Sequence, residues 1–410
     1  MKNHVKKLSF AVKGKRVLVR VDFNVPFAKD GSISDDNRIV QALPTIKELL
    51  RKEAKVVLFS HLGKINYKKT PEEIEAAKAK NDMGRVYPRL CELLPGVTVK
   101  FCKALRGPEL VEAVNSLQNG EVLLLQNTRY EKGESKNDPE LSKEWASIAD
   151  AFVMDAFGSA HRAHCSTYGV PEILKAEGKP TAIGYLVEKE IEGLGSCVNP
   201  DAHPYIAVLG GLKVSDKIKV IDSLLKKTDK ILIGGAMAYT FLRALGHKTG
   251  TSPVEEDQLD YAKRTYEEAN GKIVLPIDCV ATDSFDNPTD IITVDGLDLP
   301  DAYEGMDIGP KTCAKFAEII STGKIVFWNG PMGVFEKDQF QTGTKAVMQA
   351  CADNTAAKTV IGGGDSAAAA KQFGYVDKFT HVSTGGGASL ELIENDGHLP
   401  GIDVIEDLAE

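Results

Sequence analysis

The sequence contains no long apolar run and no paired cysteines. Nowhere do about 18 apolar residues follow one another, as a membrane-spanning helix requires. Met1–Lys15 also lacks the apolar stretch of roughly 7–15 residues that marks a secretion signal. The 7 cysteines are an odd number without a C-x-x-C pair, so they indicate neither a disulfide framework nor a cysteine zinc site. These absences predict a chain that is not exported, spans no membrane and works in the reducing cytoplasm.

The sequence has fewer basic than acidic residues. The chain has 50 Lys and Arg against 58 Asp and Glu, a net charge of -8, and a pI near 5.6. Because nucleic acids and anionic membranes require a basic face, we expect neither as a partner, although a local basic basin is compatible with this balance. A chain of 410 residues is long for a single core and predicts a globular protein of two domains.

The common nucleotide motifs are also missing. There is no G-x-x-x-x-G-K-[ST] loop, and His161-Arg162 is followed by Ala163 rather than the aspartate of a protein kinase. Gly362-x-Gly364-x-x-Ala367 nominally fits the dinucleotide pattern, but it lies far along the chain and lacks the acidic residue that should end a later strand. These patterns therefore give only weak support to an NAD-dependent dehydrogenase, which remains an alternative interpretation.

Short β-branched runs alternate with segments of helical spacing. The runs are almost continuously apolar, as in parallel strands that helices cover on both faces, so they predict two doubly wound, Rossmann-like parallel-sheet lobes of the α/β class. Gly184–Cys197 has the pattern of a single helix that connects the lobes. The predicted strands are Arg16–Val21, Lys55–Ser60, Val97–Phe101, Glu121–Gln126, Ala151–Asp155, Tyr205–Leu209, Lys230–Ile233, Lys272–Ile277, Lys324–Trp328, Lys358–Ile361 and Phe379–Val382.

Cations and imidazoles follow four of the five predicted strands in the first half. Ligands in open sheets bind beyond the carboxyl ends of the strands, so side chains that converge there predict an anion basin for a phosphorylated, carboxylated metabolite. Any one of them alone is more simply a solvated charge. Asp22 and Asn24 face the same side and could hold a hydroxyl, orient an arginine, or only form a turn before Pro26. The polar residues concerned are Arg20, Asp22, Asn24, Arg38, His61, Lys64, Arg129, His161, Arg162 and His164.

A metal site is a second interpretation of one part of this group. His161 and His164 are three residues apart and Cys165 follows them, but no other ligand cluster completes the set. Histidines beside arginines serve better as hydrogen-bond donors to an anion.

Glycine-rich turns follow the strands of the second half. Glycine lets backbone N–H groups approach phosphates, although it also simply permits a tight turn. Asp365 is either a helix N-cap or a carboxylate facing a phosphate-bound Mg²⁺. Lys213 and Lys217 would project from the same side of a helix toward a shared polyanion, or else form a solvated face. The glycine turns begin at Gly210, Gly234, Gly330, Gly362 and Gly385.

Eight segments in order along the whole chain resemble those of phosphoglycerate kinases. The resemblance implies a two-lobed, hinge-bending monomer whose first lobe binds 3-phosphoglycerate or 1,3-bisphosphoglycerate and whose second lobe binds Mg-ADP or Mg-ATP. The segments are RVDFNVP (20–26), SHLG (60–63), QNTRY (126–130), DAFGSAHRAH (155–164), LGGLKVSDK (209–217), WNGPMGVFE (328–336), IGGGDS (361–366) and VSTGGGASLE (382–391).

The resemblance also implies roles for individual residues. Arg38 and Lys213 would be catalytic, and Asp365 would hold Mg²⁺ with the nucleotide phosphates. The phosphoglycerate would be bound by Asp22, Phe23, Asn24, Arg38, His61, Lys64, Arg129 and Arg162, with Arg20 and His161 in support. The nucleotide would be bound by Lys213, Lys217, Gly309, Glu336 at the ribose, Gly363, Gly364, Asp365 and Ser366.

Three residues depart from the family pattern. Lys64 stands where arginine is usual, Ala236 where a third glycine is usual, and Ser366 where threonine is common. Residues 64–84 match poorly, so the sequence assigns no role between Ile65 and Asp82.

The expected domain plan follows from these assignments. A phosphoglycerate-binding lobe covers 1–183, with a tail from about 392 to 410 packing back onto it. A connecting helix covers 184–199 and a nucleotide-binding lobe 200–391. Ser383 and Thr384, before three glycines, are the predicted hinge. Besides a dehydrogenase, a second alternative to a kinase is a two-lobed protein that binds these ligands but does not catalyse a reaction.

Overall fold

A computed structural model describes residues 1–7 and 11–408. The chain divides into two compact units, Met1–Ile191 together with the tail from His398, and Glu192–Gly397. The boundary between the units, at Ile191 and Glu192, lies inside a helix that covers Tyr185–Val198.

The first unit is built on a six-stranded parallel sheet. Its strands are β1 (Arg16–Val21), β2 (Lys55–Phe59), β3 (Val99–Cys102), β4 (Val122–Leu125), β5 (Ala151–Asp155) and β6 (Thr181–Ile183), in the order β3-β4-β2-β1-β5-β6. Its helices are α1 (Asn37–Arg51), α2 (Pro71–Lys80), α3 (Tyr87–Leu93), α4 (Gly107–Asn115), α5 (Pro139–Ser147) and α6 (Val170–Ala176).

The core of this unit follows from helical spacing. Ile39, Ala42, Leu43, Ile46 and Leu49 recur every three or four residues along α1, and all are buried against the sheet. Each buried Leu or Ile side chain contributes about 1.5–3 kcal/mol relative to exposure. This packing fixes the carboxyl end of β1 relative to the start of α1.

Helix α7 (Tyr185–Val198) begins in the first unit on a buried carboxylate. The Asp155 side chain, at the end of β5, accepts hydrogen bonds from the N–H groups of Leu186 at 3.0 Å and Val187 at 3.4 Å. It therefore satisfies amides that the first turn of a helix leaves without partners.

We expect Asp155→Asn to make stability less dependent on pH. Burial raises the pKa of Asp155 to about 7, whereas an aspartate in an unfolded chain titrates near about 4. The folded chain thus binds this proton more strongly, so the stabilisation is complete below about pH 4 and is lost as the pH rises through about 7. Between about pH 5 and 8, the urea midpoint of the wild type should fall relative to that of the variant. Parallel midpoint curves would contradict this prediction.

The second unit contains another six-stranded parallel sheet and a small antiparallel one. The parallel strands are β7 (Tyr205–Leu209), β8 (Lys230–Ile233), β9 (Ile273–Val274), β13 (Ile325–Asn329), β14 (Lys358–Ile361) and β15 (His381–Val382), and the antiparallel strands are β10 (Cys279–Thr282), β11 (Ile291–Val294) and β12 (Glu304–Ile308). The sheet orders are β15-β14-β13-β7-β8-β9 and β11-β10-β12. The helices are α8 (Ile218–Leu225), α9 (Met237–Ala244), α10 (Leu259–Glu268), α11 (Pro310–Thr322), α12 (Thr342–Asp353), α13 (Gly364–Gln372) and α14 (Gly387–Glu394).

The chain then returns to the first unit through α15 (Pro400–Asp403). Gly401 N–H donates to the carbonyl of Ala160 at 2.8 Å, and Lys2 pairs with Asp407 at 3.1 Å. The tail is thereby tied to both the N-terminal segment and the loop after β5.

The predicted pair of doubly wound parallel sheets is confirmed. β6 and the antiparallel sheet were not predicted. β6 has three residues, too few to show a pattern, and β11 alternates between exposed and half-buried residues rather than forming an apolar run. Within the described residues, no helix is long and apolar enough to cross a membrane.

Candidate functional site

The anion basin consists of the charged and imidazole side chains at the carboxyl ends of β1, β2, β4 and β5. Arg20 lies at its base and is 1% exposed. Its guanidinium donates to Ser166 Oγ at 2.8 Å, to the Val21 carbonyl at 2.5 Å and to His61 Nδ1 at 2.9 Å. Arg20 therefore supports the basin from below rather than facing a ligand.

The contact with Arg20 determines the tautomer of His61. Because a guanidinium only donates, Nδ1 of His61 accepts, and the neutral ring carries its proton on Nε2. Burial lowers the pKa of His61 well below its usual value, with the charge of Arg20 acting in the same direction. His61 is thus a neutral imidazole with an Nε2–H donor.

Arg38 is oriented by a carboxylate. Its Nη1 lies 2.7 Å from Asp22 Oδ2, while Asp22 Oδ1 accepts from the Asn24 N–H at 3.1 Å. Burial acts to raise the pKa of Asp22, but the charges of Arg38 and Arg20 and the hydrogen bond from the Asn24 N–H act in the opposite direction, and the pKa is lowered. Of the roles open to Asp22 from sequence, the structure shows both the orientation of an arginine and a local turn.

Gly63 joins three parts of the basin. Its carbonyl accepts from Arg129 Nη1 at 2.6 Å, and its N–H donates to Asn24 Oδ1 at 2.8 Å. Gly63 has a φ of 61°, and a Cβ there would lie 2.1 Å from Asn81 Oδ1, so the position strongly favours glycine. The next residue, Lys64, is exposed and lines a cavity of about 640 Å³ together with Arg129.

Three other predicted residues occupy different positions. Phe23 is fully buried in the hydrophobic core, and its N–H donates to Ser60 Oγ at 2.9 Å, so it could touch a ligand only through its main chain. Arg162 is exposed, and its charge acts on Arg129. His161 is half-buried on the same loop.

The alternative metal site does not form a ligand set. Cys165 is buried, and its Sγ lies 3.4 Å from the carbonyl oxygens of both Gly133 and Asp138, which share its single proton. In the part of the chain that the structure describes, no three His, Cys, Asp or Glu side chains are grouped as metal ligands.

Glu134 is a basin residue that sequence reasoning missed. Its side chain is 1% exposed and accepts from the Ser166 N–H at 2.9 Å. Burial lowers the pKa of Arg20 and of Arg129, and the charge of Glu134 is the largest opposing effect on both. Glu134 lies within the charged segment EKGESK (131–136), which shows no spacing signal that could have identified it.

In the second unit, the glycine-turn cavity is lined by the turns after β7, β13 and β14. It has a volume of about 390 Å³ and its walls include Gly210, Gly330, Gly363 and Gly364. A Cβ on Gly330 would lie 2.2 Å from the Gly210 carbonyl oxygen, so these two glycines are already required by a close crossing of the backbone. A Cβ on Gly364, at the start of α13, would meet no described atom within 4 Å, so packing does not explain that glycine.

Both predicted lysines line the glycine-turn cavity. α8 begins only at Ile218, so Lys213 and Lys217 lie on the loop before it and not on a helix as expected. Lys217 Nζ donates to the side chain of Asn329, a residue that sequence analysis did not identify. Lys213 is exposed and forms no hydrogen bond or ion pair with any described residue.

Asp365 and Ser366 follow at the start of α13. Gly363 is the N-cap, so Asp365 is the second helical residue and not the cap itself. Ser366 is buried and its hydroxyl accepts from the Gly330 N–H at 2.6 Å, which ties two glycine turns together.

An apolar cavity of about 300 Å³ adjoins the glycine-turn cavity, and the two share Gly211, Leu212, Pro331 and Asp365. Glu336 and Ala236 belong to its wall. Gly309 does not, because the Asp278 carboxylate packs against it and lines the cavity instead. An apolar cavity beside a glycine-rich one suits a nucleoside next to its phosphates.

Comparisons with known proteins agree over the whole chain. The sequence profile of the family described as "Phosphoglycerate kinase" matches residues 6–396. A phosphoglycerate kinase of Fusobacterium nucleatum is 54% identical over 398 residues (96% of this chain, 97% of that protein), and one of Enterococcus faecalis is 52% identical over 400 residues (97% of each).

Two solved structures have the same fold. The phosphoglycerate kinase of Coxiella burnetii matches with a TM-score of 0.84 at 35% identity, covering 98% of both chains. The phosphoglycerate kinase of Pyrococcus horikoshii matches with a TM-score of 0.80 at 34% identity, covering 97% of both chains. The chain therefore belongs to the phosphoglycerate kinase family.

Proposed function

We propose that this chain transfers a phosphoryl group reversibly between 1,3-bisphosphoglycerate and ADP, giving 3-phosphoglycerate and ATP. One observation carries this proposal. This member of the family has a cationic basin in its first unit and a glycine-turn cavity in its second. The reaction serves glycolysis and gluconeogenesis.

The basin binds the phosphoglycerate. Its arginines offer paired N–H donors to carboxylate and phosphate oxygens, and the Nε2–H of His61 adds a neutral donor. The ligand residues are Asp22, Asn24, Arg38, His61, Lys64, Arg129 and Arg162, with Phe23 through its main chain and Arg20 and His161 in support.

The second unit binds the nucleotide. The phosphates lie in the glycine-turn cavity against Lys213, Lys217, Gly363, Gly364 and Ser366, and the nucleoside occupies the apolar cavity with Glu336 at the ribose. Gly309 acts only indirectly, by leaving room for the Asp278 carboxylate.

The residues present fit Mg²⁺ that arrives with the nucleotide. The Asp365 carboxylate lines both cavities and has no hydrogen bond or ion pair within the described ranges. Mg²⁺ favours one or two protein carboxylates completed by water and phosphate oxygens, so this single carboxylate suffices. When bound, the ion neutralises charge on the phosphates.

The chain's own contribution to chemistry is positioned positive charge. A phosphoryl group in transfer carries its charge on three equatorial oxygens, so cations around it lower the barrier. Arg38 and Lys213 provide these charges. The acceptor oxygen is on the β-phosphate of ADP in one direction and on the carboxylate of 3-phosphoglycerate in the other. Both are already anionic near neutral pH, so no general base is required.

We also propose that the enzyme works as a cytoplasmic monomer whose two units close on their ligands. Closure would exclude water that could hydrolyse the acyl phosphate. Its partners are the two small-molecule substrate pairs, and neither nucleic acid nor membrane is involved.

A coupled assay tests the proposal. With 1,3-bisphosphoglycerate, ADP and Mg²⁺, we expect ATP to form at a rate proportional to the amount of chain. Binding of both ligands without ATP would favour a non-catalytic protein, and a nicotinamide-dependent absorbance change with substrate would favour a dehydrogenase.

Lys64 gives a graded prediction for the basin. An arginine grips a phosphate with two parallel hydrogen bonds, whereas a lysine attracts it without orienting it. Because Lys64 lies in the wall that Arg129 shares, we expect Lys64→Ala to raise the KM for 3-phosphoglycerate several-fold, and Lys64→Arg to lower it or leave it unchanged. The KM for ATP should stay the same in both variants. An alanine variant with wild-type kinetics would place Lys64 outside the substrate site.

A further inference from the structure

The segment after Lys64, to which the sequence assigned no role, is fastened to the loop that follows β4. Asn127 Nδ2 donates to the Asn81 carbonyl at 3.0 Å, and Gln126 Nε2 donates to Asp82 Oδ1 at 2.9 Å. Tyr130 Oη donates to the Lys78 carbonyl. The loop that carries Arg129 is therefore held along its length by residues 65–82.

Tyr67 makes the contact that reaches Arg129 directly. Its hydroxyl lies 2.8 Å from the Arg129 carbonyl oxygen and 2.5 Å from that of Tyr130. A hydroxyl has one proton, and the two oxygens share it as a three-centre hydrogen bond, so Tyr67 ties together the consecutive main-chain carbonyls of Arg129 and Tyr130. Burial, followed by the charges of Glu131 and Glu75, raises the pKa of Tyr67 to about 12, so the donor is present across the whole neutral range.

Within the part of the chain that the structure describes, the other hydrogen bonds of Arg129 involve its guanidinium and its N–H. Its guanidinium donates to the Gly63 carbonyl, and its own N–H donates to Asn127 Oδ1 at 3.0 Å. The carbonyl side of the residue is held by Tyr67. Among the described contacts, Tyr67 thus fixes the one main-chain group of Arg129 that the rest of the basin does not.

The same cavity contains both residues. Tyr67, Lys64, Arg129 and Glu134 all line the space of about 640 Å³ next to the anion basin. A small rotation of the main chain at Arg129 would swing its guanidinium, at the end of a long side chain, away from the Gly63 carbonyl and the substrate phosphate.

We propose that Tyr67 is a positioning residue for substrate binding, which acts by holding the main chain of Arg129 so that its guanidinium meets the phosphoglycerate. The inference rests on the proposed function of the basin. It assigns the segment 65–82 a part in substrate affinity, and it concerns the phosphoglycerate alone, because the nucleotide binds in the other unit.

The test is Tyr67→Phe, which removes the hydroxyl and keeps the ring. A net hydrogen bond to a main-chain carbonyl corresponds to about a 5-fold change in an equilibrium constant. We therefore expect the KM for 3-phosphoglycerate to rise about 5-fold, with kcat and the KM for ATP within about 1.5-fold of the wild type, as positioning of a binding group predicts.

Tyr87→Phe is the matched control. Tyr87 Oη donates to the Val99 carbonyl at 2.7 Å in the same unit, away from the basin. This variant loses a comparable hydrogen bond, so it reports the effect of lost stability alone, and its KM for 3-phosphoglycerate should not change. Equal kinetics of the two variants would overturn the inference.

A double variant shows whether Tyr67 acts through Arg129. If it does, Tyr67→Phe should raise the KM much less in an Arg129→Lys background than in the wild type, because residues that act together are not additive. Additive effects would overturn the role assigned to Arg129. A wild-type chain without any 3-phosphoglycerate-dependent turnover would instead refute the proposed function, so the two failures are distinguishable.

Discussion

Lys213→Ala is expected to lower kcat on the order of 10²-fold or more and to lower ADP and ATP affinity far less, as the loss of a donor to a transition-state oxyanion does. Lys213 is exposed at the wall of the glycine-turn cavity and is not engaged by any described residue, so its charge is available to the transferring group. Lys217, by contrast, is engaged by the side chain of Asn329 and is better placed for steady nucleotide binding.

The measurement for Lys213 combines steady-state kinetics with equilibrium binding of ADP. Lys226→Ala is the control, since Lys226 is exposed beyond the opposite end of α8. We expect wild-type kinetics from the control. A Lys213→Ala enzyme with normal kcat and only a raised KM for the nucleotide would assign Lys213 to ground-state binding.

Arg38→Ala is the second large effect that we expect, again on the order of 10²-fold in kcat. The Asp22 carboxylate, 2.7 Å away, already orients the Arg38 guanidinium. The Arg38 side chain is 39% exposed, so Arg38 is both positioned and accessible. Arg38→Lys keeps the charge but loses the planar pair of donors, so its kcat should lie between those of the alanine variant and the wild type.

Arg16→Ala is the matched control for Arg38. Arg16 forms an ion pair of similar length with Asp150, at 2.9 Å, but at the opposite end of β1. Loss of that pair should leave kcat unchanged. If Arg16→Ala lowered kcat as much as Arg38→Ala, the effect would come from strand stability and not from charge at the reacting group.

Much of the fold and of the basin could be predicted because the information is local. Apolar runs locate buried strands, and the residue after a strand lies at the sheet edge whatever the rest of the fold does. Arg38 and Asp22 were identified in this way, and the structure brings them into contact. For Asp22 the end of a strand was enough, and for Arg38 the start of the helix that follows it.

The remainder depends on contacts between distant segments. Glu134 and Tyr67 act on the basin across loops, and no periodicity or spacing marks them in the sequence. Phe23 adjoins Asp22 and Asn24 along the chain, but alternation in an extended segment turns its side chain into the core. The expected helical pair of Lys213 and Lys217 was wrong because α8 starts one residue after Lys217.

The glycine turns show how a correct prediction can have mixed causes. Gly210 and Gly330 are required by backbone that crosses at close range, so their presence alone does not indicate a ligand. Gly364 has free space beside it and lines the cavity at the start of a helix, where backbone N–H groups bind phosphate. The sequence shows where the glycine turns are, but it does not distinguish glycines required by a close backbone crossing from glycines that leave room for a phosphate.

Arg38 and Lys213 are proposed to supply the charge that stabilises phosphoryl transfer, and a rapid-quench measurement of single-turnover ATP formation isolates that step. Saturating concentrations of chain and ADP are mixed with limiting 1,3-bisphosphoglycerate, so that product release does not contribute to the rate. We predict that the wild type converts the bound acyl phosphate into ATP, and that Arg38→Ala and Lys213→Ala each slow this step on the order of 10²-fold. Transfer at the wild-type rate in both variants would show that neither charge stabilises the transferring phosphoryl group.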